Sequence, residues 1–315
     1  MTEYSTHSIT VPAPVDQVYD LVAKAADWPA LFPPTVHIEH LERGETLERF
    51  HIWALANNGV KDWVSRRTLD RVARVITFRQ EVSRPPVAAM SGTWLFTPTA
   101  DGGTAVELRH EYTPVDDDPG ASAWIRQALD TNSAAELASL SRAAAGGAAA
   151  ERVLRFSDSV RIAGPHWLAY EFIDEAQHWP ERLPHVDDLD LTVDDDGAQR
   201  MTMTTIAPDG SRHTTGSTRI RLESSILYKQ TTPPPLLSGH SGRWIFAPDG
   251  DSCVVTSEHT VAIDPDTVEK VLGTGKTLAD ARDFVRGALG GNSLITLRHA
   301  RDFTESRATT PKRST

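Results

Sequence analysis

The chain contains an internal repeat, and this repeat constrains the fold more than any other feature of the sequence. Four short motifs recur in the same order about 150 residues apart: Asp27-Trp28-Pro29 with His178-Trp179-Pro180, Ser91-Gly92-Thr93-Trp94-Leu95-Phe96 with Ser241-Gly242-Arg243-Trp244-Ile245-Phe246, His110 with His259, and Asn132-Ser133 with Asn292-Ser293. Their constant order and nearly constant offset indicate a duplication. The length of 315 residues also favours two domains. We therefore predict domains at residues 1–146 and 152–303, a linker at Ala143–Ala150 and a disordered polar tail at residues 304–315.

Each repeat is predicted to run through the same series of elements. The first begins with an alternating strand at Tyr4–Val11, followed by a short amphipathic helix after Pro14, six more strand-like runs and a long helix at about Ser122–Ala144. Asn57-Asn58-Gly59 is typical of a tight hairpin turn. The second repeat ends with a helix that starts at Asp264 or at Thr277. This order predicts an α+β fold, in which a curved antiparallel seven-stranded sheet surrounds a long C-terminal helix and leaves an internal pocket.

Composition and motifs exclude several classes of function. The net charge of −11 disfavours nucleic-acid binding and docking on an anionic membrane. Cys253 is the only cysteine and the N-terminus lacks the features of a signal peptide, so we expect a cytoplasmic protein. The sequence has no phosphate-binding loop and no Gly-x-Ser-x-Gly elbow, and its twelve histidines show no metal-ligand spacing. We therefore expect neither a metal nor another cofactor.

The most informative stretch is Trp63-Val64-Ser65-Arg66-Arg67. In a strand, Trp63, Ser65 and Arg67 point to one face, and Val64 and Arg66 point to the other. An apolar wall, a hydroxyl and a guanidinium on the concave face would suit a flat ligand that is rich in oxygen atoms. In the opposite register, Arg67 is solvated, as most strand arginines are.

Three motifs together resemble the polyketide aromatase/cyclases of bacterial type II polyketide synthases, which have the helix-grip fold shared with START and Bet v 1-like proteins. These motifs are Asp27-Trp28-Pro29-Ala30-Leu31-Phe32, Trp63-Val64-Ser65-x-Arg67 and His110-Glu111-Tyr112. The tandem arrangement looks like the di-domain subclass. The resemblance implies an enzyme that closes and aromatises the first ring between carbons seven and twelve of a poly-β-ketone, without a cofactor. It also implies that the substrate is held by an acyl carrier protein and that other synthase subunits are partners.

The resemblance also implies the residues of the site. Arg67, Ser65 and His110 match catalytic positions, and Trp28, Phe32, Trp63 and Asn132 match positions that bind the substrate. The second repeat would contribute Ser217, Arg219, His259 and Trp179. The sequence departs from the family at Thr35, where some members have tyrosine, and at Thr215, which replaces the strand tryptophan in the second repeat. Because Thr215 replaces this tryptophan and Leu183 stands where the first repeat has Phe32, we expect a looser second pocket, and we expect the first repeat to choose which carbons are joined.

Other interpretations of these residues stay open at this point. Trp94 and Trp244 are typical of a hydrophobic core. His110, Asn132 and Ser65 could be buried polar groups whose hydrogen bonds serve only the fold. The whole protein could be a non-catalytic START-like carrier of an apolar or polycyclic ligand, or a scaffold in a synthase complex. Lys61, Arg66, Arg71 and Arg74 lie on and beside the Trp63–Arg67 strand, and we expect them to form a basic patch on which an acidic carrier protein docks.

Overall fold

Alternating sequence patterns form two seven-stranded antiparallel sheets, one in each repeat. The computed structural model describes residues 1–145, 149–206 and 210–308, and divides the chain into two units at residues 151 and 152. The N-terminal unit contains β1 (Glu3–Val11), α1 (Val15–Ala23), α2 (Trp28–Leu31), β2 (Thr35–Arg43), β3 (Leu47–Ala56), β4 (Gly59–Asp70), β5 (Val75–Val82), β6 (Val87–Pro98), β7 (Thr104–Pro114) and α3 (Pro119–Ala145).

The second repeat contains the same series. A short helix, α4 (Ala149–Arg152), leads into β8 (Val153–Ala163), α5 (His166–Asp174), α6 (Trp179–Arg182), β9 (Val186–Val193), β10 (Gln199–Ile206), β11 (Arg212–Arg221), β12 (Ser225–Thr232), β13 (Leu237–Asp249), β14 (Ser252–Ile263), α7 (Val268–Leu272) and α8 (Leu278–Ala308). The described helices include none that is long and apolar enough to cross a membrane.

Both sheets have the same strand order, in which the first strand pairs with the last. The order is β1-β7-β6-β5-β4-β3-β2 in the first unit and β8-β14-β13-β12-β11-β10-β9 in the second. Asn57 and Asn58 both have positive φ angles, of 46° and 66°, which allows the tight turn between β3 and β4. Hairpins of this kind place consecutive strands side by side, so residues of β3 to β7 meet in cross-strand rows.

The long helix of the first unit packs against the sheet and against α1. Val18 and Val22 of α1 are fully buried with Leu108 of β7 and Leu140 of α3 in one core cluster. Trp94 and Trp244 are also buried in the core, as the sequence predicts, and Trp94 in addition lines the cavity described below. The predicted α+β helix-grip fold is therefore confirmed in both repeats.

Two predicted ends of elements are corrected by the structure. The linker was predicted to begin at Ala143, but α3 continues to Ala145 because Ala143 and Ala144 pack in the core. Residues 146–148 of that linker lie outside the described residues. The tail was predicted to be disordered from Thr304, but α8 continues to Ala308. Thr304 is fully buried and its hydroxyl donates to the carbonyl of Ala300 (2.8 Å), while residues 309–315 lie outside the described part of the chain.

The glycine of the repeated Ser-Gly-x-Trp motif is explained by an aromatic ring of the neighbouring strand, which lies against it. A Cβ atom at Gly92 of β6 would overlap Phe78 Cζ and the carbonyl oxygen of Arg109. A Cβ atom at Gly242 would overlap the Tyr228 ring in the same way. The absence of a side chain at this position therefore lets the aromatic ring of the neighbouring strand lie over the glycine and reach the next strand, which carries His110 or His259.

We predict that Gly92→Ala destabilises the protein by about 1–3 kcal/mol, because the added methyl group overpacks a filled part of the sheet. The free energy of unfolding in urea measures this effect. Gly120→Ala is the control, since a Cβ atom there approaches only Asp118, at 3.4 Å. A Gly92→Ala protein that is as stable as the Gly120→Ala protein would contradict the steric role of the glycine.

Candidate active site

A cavity lies inside the N-terminal unit, between the concave face of the sheet and α3. Its empty space, counted out to the open mouth, is about 1110 Å³. Six aromatic side chains form much of its wall: Trp28, Phe50, Trp63, Phe78, Trp94 and Trp124. Such flat, apolar walls suit a planar ligand.

The predicted face of β4 is confirmed by the structure. Trp63, Ser65 and Arg67 all line the cavity, whereas Arg66 lies on the other face of the sheet. The open alternative of a solvated Arg67 is wrong, since this residue is only 1% exposed.

One cross-strand row connects the predicted arginine and histidine. The strand registers pair Glu48 with Arg67, Arg67 with Phe78, Phe78 with Gly92, and Gly92 with His110. Arg67 and His110 are thus at the same depth of the cavity. They are three strands apart, which corresponds to about 14 Å along the sheet.

Arg67 is tied to the protein by almost all of its hydrogen-bond donors. Its Nη1 donates to the carbonyl of Val22 (2.9 Å) and its Nη2 to the carbonyl of Ala23 (2.6 Å), at the C-terminal end of α1. Its Nε donates to Glu48 Oε1 (2.7 Å), and Nη2 also contacts this carboxylate. The guanidinium lies 4.7 Å from the centre of the Trp28 ring. Arg67 therefore closes the helix end and fixes the inner wall of the cavity.

Glu48 is the ionic partner of Arg67, and sequence reasoning missed it. Its side chain is 6% exposed, and burial alone would raise its pKa. The pKa is lowered nevertheless, because His40 and Arg67 stabilise the carboxylate. Only the register of β3 against β4 brings Glu48 to Arg67, and no local sequence signal reports this pairing.

The second repeat contains an equivalent row with different chemistry. It pairs Gln199 with Arg219, Arg219 with Tyr228, Tyr228 with Gly242, and Gly242 with His259. Arg219 Nη2 donates to the carbonyl of Ile173 (2.5 Å), at the end of α5. Glutamine replaces the buried carboxylate in this row, and burial lowers the pKa of Arg219 to about 10.

His110 is buried in the cavity wall with an unpartnered nitrogen. Among the described residues, none forms a hydrogen bond with its Nδ1 atom, although this atom is shielded from solvent. The ring contacts Phe78 edge to face, with 5.6 Å between the ring centres. Burial lowers the pKa of His110 to about 4, so the imidazole is neutral at pH 7. A neutral imidazole with a free nitrogen can exchange a proton with a ligand.

His259, its counterpart, has protein partners at both nitrogens. Its Nδ1 lies 3.0 Å from the Tyr228 hydroxyl and 3.0 Å from His240 Nε2. Its Nε2 lies 2.8 Å from the Ser293 hydroxyl. Both partners of this Nδ1 atom are missing from the first repeat, where Phe78 occupies the place of Tyr228 and Met90 occupies the place of His240. Ser217 and Trp179 are also buried, and Trp179 lies against Arg219 (5.3 Å).

Two further polar groups of the cavity were missed from the sequence. Gln80 lines the cavity, and its buried Oε1 has no hydrogen-bond partner among the described residues. Glu136 of α3 also lines the cavity, one helical turn after Asn132. Its position could have been predicted, because residues four apart share a face of a helix. Burial raises the pKa of Glu136 to about 7.

The remaining predicted site residues are placed as follows. Asn132 lines the cavity and its Nδ2 donates to the carbonyl of Leu55 (2.9 Å), so it also ties α3 to β3. Ser65 and Trp28 line the cavity as well. Phe32 does not: it is buried in the core, 5.6 Å from the Trp28 ring, and its assignment to substrate binding is wrong. It follows the last turn of α2 and packs behind Trp28, so the tryptophan, not the phenylalanine, faces the ligand space.

The predicted basic patch does not form. Lys61 lines the cavity and lies 5.5 Å from the centre of the Trp124 ring. Arg66 is paired with Glu81 (2.6 Å), while Arg71 and Arg74 are paired with acidic residues of α1. Ten residues of strand, or about 33 Å, separate Lys61 from Arg71. The four side chains were grouped in the sequence but belong to different surfaces.

Comparisons with known proteins agree with this architecture. Residues 4–145 match the family model described as polyketide cyclase / dehydrase and lipid transport. The chain is 49% identical over 299 residues to the granaticin polyketide synthase bifunctional cyclase/dehydratase of Streptomyces violaceoruber, covering 94% of this chain and 92% of that protein. It is 47% identical over 306 residues to the actinorhodin polyketide synthase bifunctional cyclase/dehydratase of Streptomyces coelicolor, covering 93% and 94%.

Two solved structures resemble the whole chain. The di-domain ARO/CYC BexL from the BE-7585A biosynthetic pathway is 48% identical, with a TM-score of 0.75, and the match covers 98% of this chain and 100% of that one. The di-domain ARO/CYC StfQ from the steffimycin biosynthetic pathway is 35% identical, with a TM-score of 0.70 and coverage of 97% and 100%.

The fold and the cavity define a START-like protein with an internal cavity in its N-terminal unit. The chain belongs to the polyketide cyclase/dehydratase family of type II polyketide synthases, in its two-domain form. The predicted family and the predicted enzyme class are thereby confirmed.

We predict that Arg67→Ala destabilises the protein by about 3–5 kcal/mol, because it leaves a buried carboxylate and two helix carbonyls without their partner. Thermal and urea unfolding measure the loss. Arg66→Ala is the control: this neighbour forms an ion pair with Glu81 on the other face, and such pairs contribute about 0–1 kcal/mol. Equal stability of the two variants would contradict the role of Arg67 at the end of α1.

Proposed function

We propose that the N-terminal cavity closes the first ring, between carbons seven and twelve, of a poly-β-ketone bound to an acyl carrier protein, and that it then dehydrates and aromatises this ring. One observation carries the proposal: an aromatic-walled cavity contains polar atoms that no described residue pairs, namely Gln80 Oε1 and His110 Nδ1. Buried polar atoms without partners destabilise a fold unless a ligand pairs them. A purely apolar cargo would leave them unpaired, whereas the oxygen atoms of a polyketide can pair them.

The dimensions of the cavity suit an extended polyketide chain that enters beside Lys61. From Lys61 to Arg67, β4 covers about 20 Å. Exposed polar groups lie at one end, where Arg84 is paired with Asp62 (3.5 Å), and the buried Arg67 lies at the other. A chain held at the mouth by its carrier protein would therefore reach the inner wall and fold back on itself, with its carbonyl groups near the polar atoms.

The residues fit an aldol reaction. A methylene group between two carbonyls loses a proton, the carbanion attacks a carbonyl carbon, and the resulting alkoxide takes up a proton. Loss of water and enolisation then produce the aromatic ring. These steps involve no net oxidation or reduction, so the proposed reaction needs no cofactor.

We assign the catalytic roles as follows. His110 exchanges protons with the substrate through its free Nδ1. The cation of Arg67 stabilises negative charge on the substrate oxygens, acting through its field because Glu48 and α1 occupy most of its donors. Ser65 lies two residues before Arg67 on β4, lines the same wall of the cavity and offers its hydroxyl oxygen to the substrate.

Substrate binding is assigned to Trp28, Trp63 and Asn132. The two rings would hold the chain flat, and this restriction decides which carbons meet. Asn132 fixes the distance between α3 and the sheet through its bond to Leu55.

The second repeat is proposed to act after the first ring has formed. Its candidate residues are Ser217, Arg219, His259 and Trp179, and the imidazole of His259 is occupied by Tyr228, His240 and Ser293. A histidine with both nitrogens engaged is a poor acceptor of a substrate proton. We therefore assign regiochemistry to the first repeat and at most a later dehydration to the second.

We predict that His110→Ala lowers formation of the correct first ring by about 100-fold or more, the usual contribution of a proton-transfer residue. The polyketide should then be released as wrongly cyclised shunt products. The measurement reconstitutes the ketosynthase, the carrier protein and this protein, and determines the products by chromatography and mass spectrometry.

His259→Ala is the matched variant, and it should leave the regiochemistry of the first ring intact. Omission of the protein altogether gives the uncatalysed distribution of products. If His259→Ala scrambles the first ring and His110→Ala does not, the roles of the repeats are reversed. If wild-type protein leaves the distribution unchanged from its omission, the proposed function is wrong.

A further inference from the structure

Glu136 is a carboxyl group that faces the cavity without a partner. It lies on the sheet side of α3, four residues after Asn132, and both side chains line the cavity. Among the described residues, none forms a hydrogen bond or an ion pair with its carboxylate, and burial raises the pKa of this carboxyl group. Carboxylates that serve the fold are usually paired when they are buried.

The other charged groups of the cavity are engaged elsewhere. Lys61 lies against Trp124 at the rim, and Asp62 is held by His51 (2.8 Å) and Arg84 (3.5 Å). Arg67 is paired with Glu48, as described above.

His110, the remaining titratable group, is neutral because burial lowers its pKa to about 4. Burial raises the pKa of Glu136 to about 7. The carboxyl group of Glu136 therefore changes its charge near neutral pH.

We infer that Glu136 is a second catalytic residue of ring closure, which shares the proton transfers assigned above to His110: it carries a proton between the substrate carbon and the substrate oxygen, while the neutral His110 imidazole hydrogen-bonds to that oxygen. This inference rests on the proposed function. The carboxylate takes a proton from the methylene group, and the electron pair of the broken C–H bond forms the new C–C bond to the carbonyl carbon. The carboxylic acid then returns this proton to the alkoxide, which becomes a hydroxyl group.

Dehydration uses the same residue in the same order. The carboxylate takes the proton next to the ketone, the C=C bond forms, and the leaving hydroxyl group receives the proton and departs as water. Each step returns Glu136 to its starting state, so no other reactant is consumed. A group with a pKa near the working pH suits both halves of this exchange.

The second repeat lacks this carboxyl group. The recurrence of Asn132-Ser133 at Asn292-Ser293 places Thr296 at the position of Glu136. The Thr296 hydroxyl donates to the carbonyl of Asn292 within its own helix (3.0 Å). The proton carrier is therefore a feature of the first repeat alone, in agreement with the assignment of ring closure to that repeat.

The test is the pH dependence of first-ring formation in the reconstituted synthase, for wild type, Glu136→Gln and Asp130→Asn. The wild-type rate should rise with pH around 7, as the carboxyl group ionises. Glu136→Gln should react about 100-fold more slowly or worse, and its rate should no longer rise around pH 7. Asp130→Asn is the control, since Asp130 lies on the same helix and is bonded to His7 outside the cavity, and it should behave as wild type.

Unfolding temperatures distinguish a catalytic role of Glu136 from a role in folding. A raised pKa means that the folded state disfavours the carboxylate, so ionisation of Glu136 lowers the stability of the folded protein. This loss of stability is absent below the unfolded pKa of 4.5 and complete above about pH 7. Glu136→Gln should therefore unfold at the same temperature as wild type near pH 4.5 and at an equal or higher temperature at pH 8. Glu136→Asp, which keeps the acid, should keep a rate that rises with pH.

The outcomes are distinguishable. A Glu136→Gln protein with the wild-type rate and pH dependence overturns this inference and leaves the proposed function standing. A loss of the pH dependence in Glu136→Asp at full folding also overturns it. Wild-type protein without any effect on the products overturns the proposed function, and with it this role of Glu136.

Discussion

Each repeat depends on a buried arginine that holds a short helix to the sheet. The helix α1 has only nine residues, too few to be stable alone, and its last carbonyl groups need donors. Arg67 supplies them from β4, and the Trp28 indole donates to Val22 as well (3.1 Å). Arg219 binds the end of α5 in the same manner. The arginine and the Trp-Pro turn therefore serve the fold in both repeats, which explains why the second repeat contains both although Thr215 stands at the position of the strand tryptophan. The presence of this arginine alone does not mark a catalytic repeat.

The two repeats differ at the histidine end of the cross-strand row, at His110 and His259. A glycine lets the neighbouring aromatic ring reach the histidine in both units. In the second repeat, Tyr228 and His240 both lie within hydrogen-bond distance of the histidine nitrogen, whereas Phe78 and Met90 at these positions leave the nitrogen free in the first repeat. Two replaced side chains thus separate a histidine that is bound within a protein network from one that is available to a ligand. Together with the carboxyl group of α3, this difference supports our proposal that the first repeat carries out the proton transfers of ring closure.

Much of this organisation could be predicted from the sequence, because it depends on local patterns. The repeated motifs gave the duplication, strand alternation placed Trp63 and Arg67 on one face, and the Asn57-Asn58-Gly59 turn gave the hairpin. The unpredicted parts depend on contacts between distant segments. Glu48 meets Arg67 only through the register of two strands, and Phe32 is in the core because the chain turns behind Trp28. The prediction of a basic patch was wrong for a similar reason, since residues that are near in sequence lie far apart along an extended strand.

The central claim is that a free nitrogen on His110 makes the first repeat the site of ring closure. The most direct measurement is the rate and regiochemistry of first-ring formation in the reciprocal variants Phe78→Tyr and Tyr228→Phe. The first variant adds the hydroxyl that occupies the histidine of the second repeat, and the second variant removes that hydroxyl. The account predicts that Phe78→Tyr, still folded, loses ring closure by about tenfold or more, a fraction of the usual contribution of proton transfer, while Tyr228→Phe retains it. Full ring closure in Phe78→Tyr together with its loss in Tyr228→Phe would contradict the account.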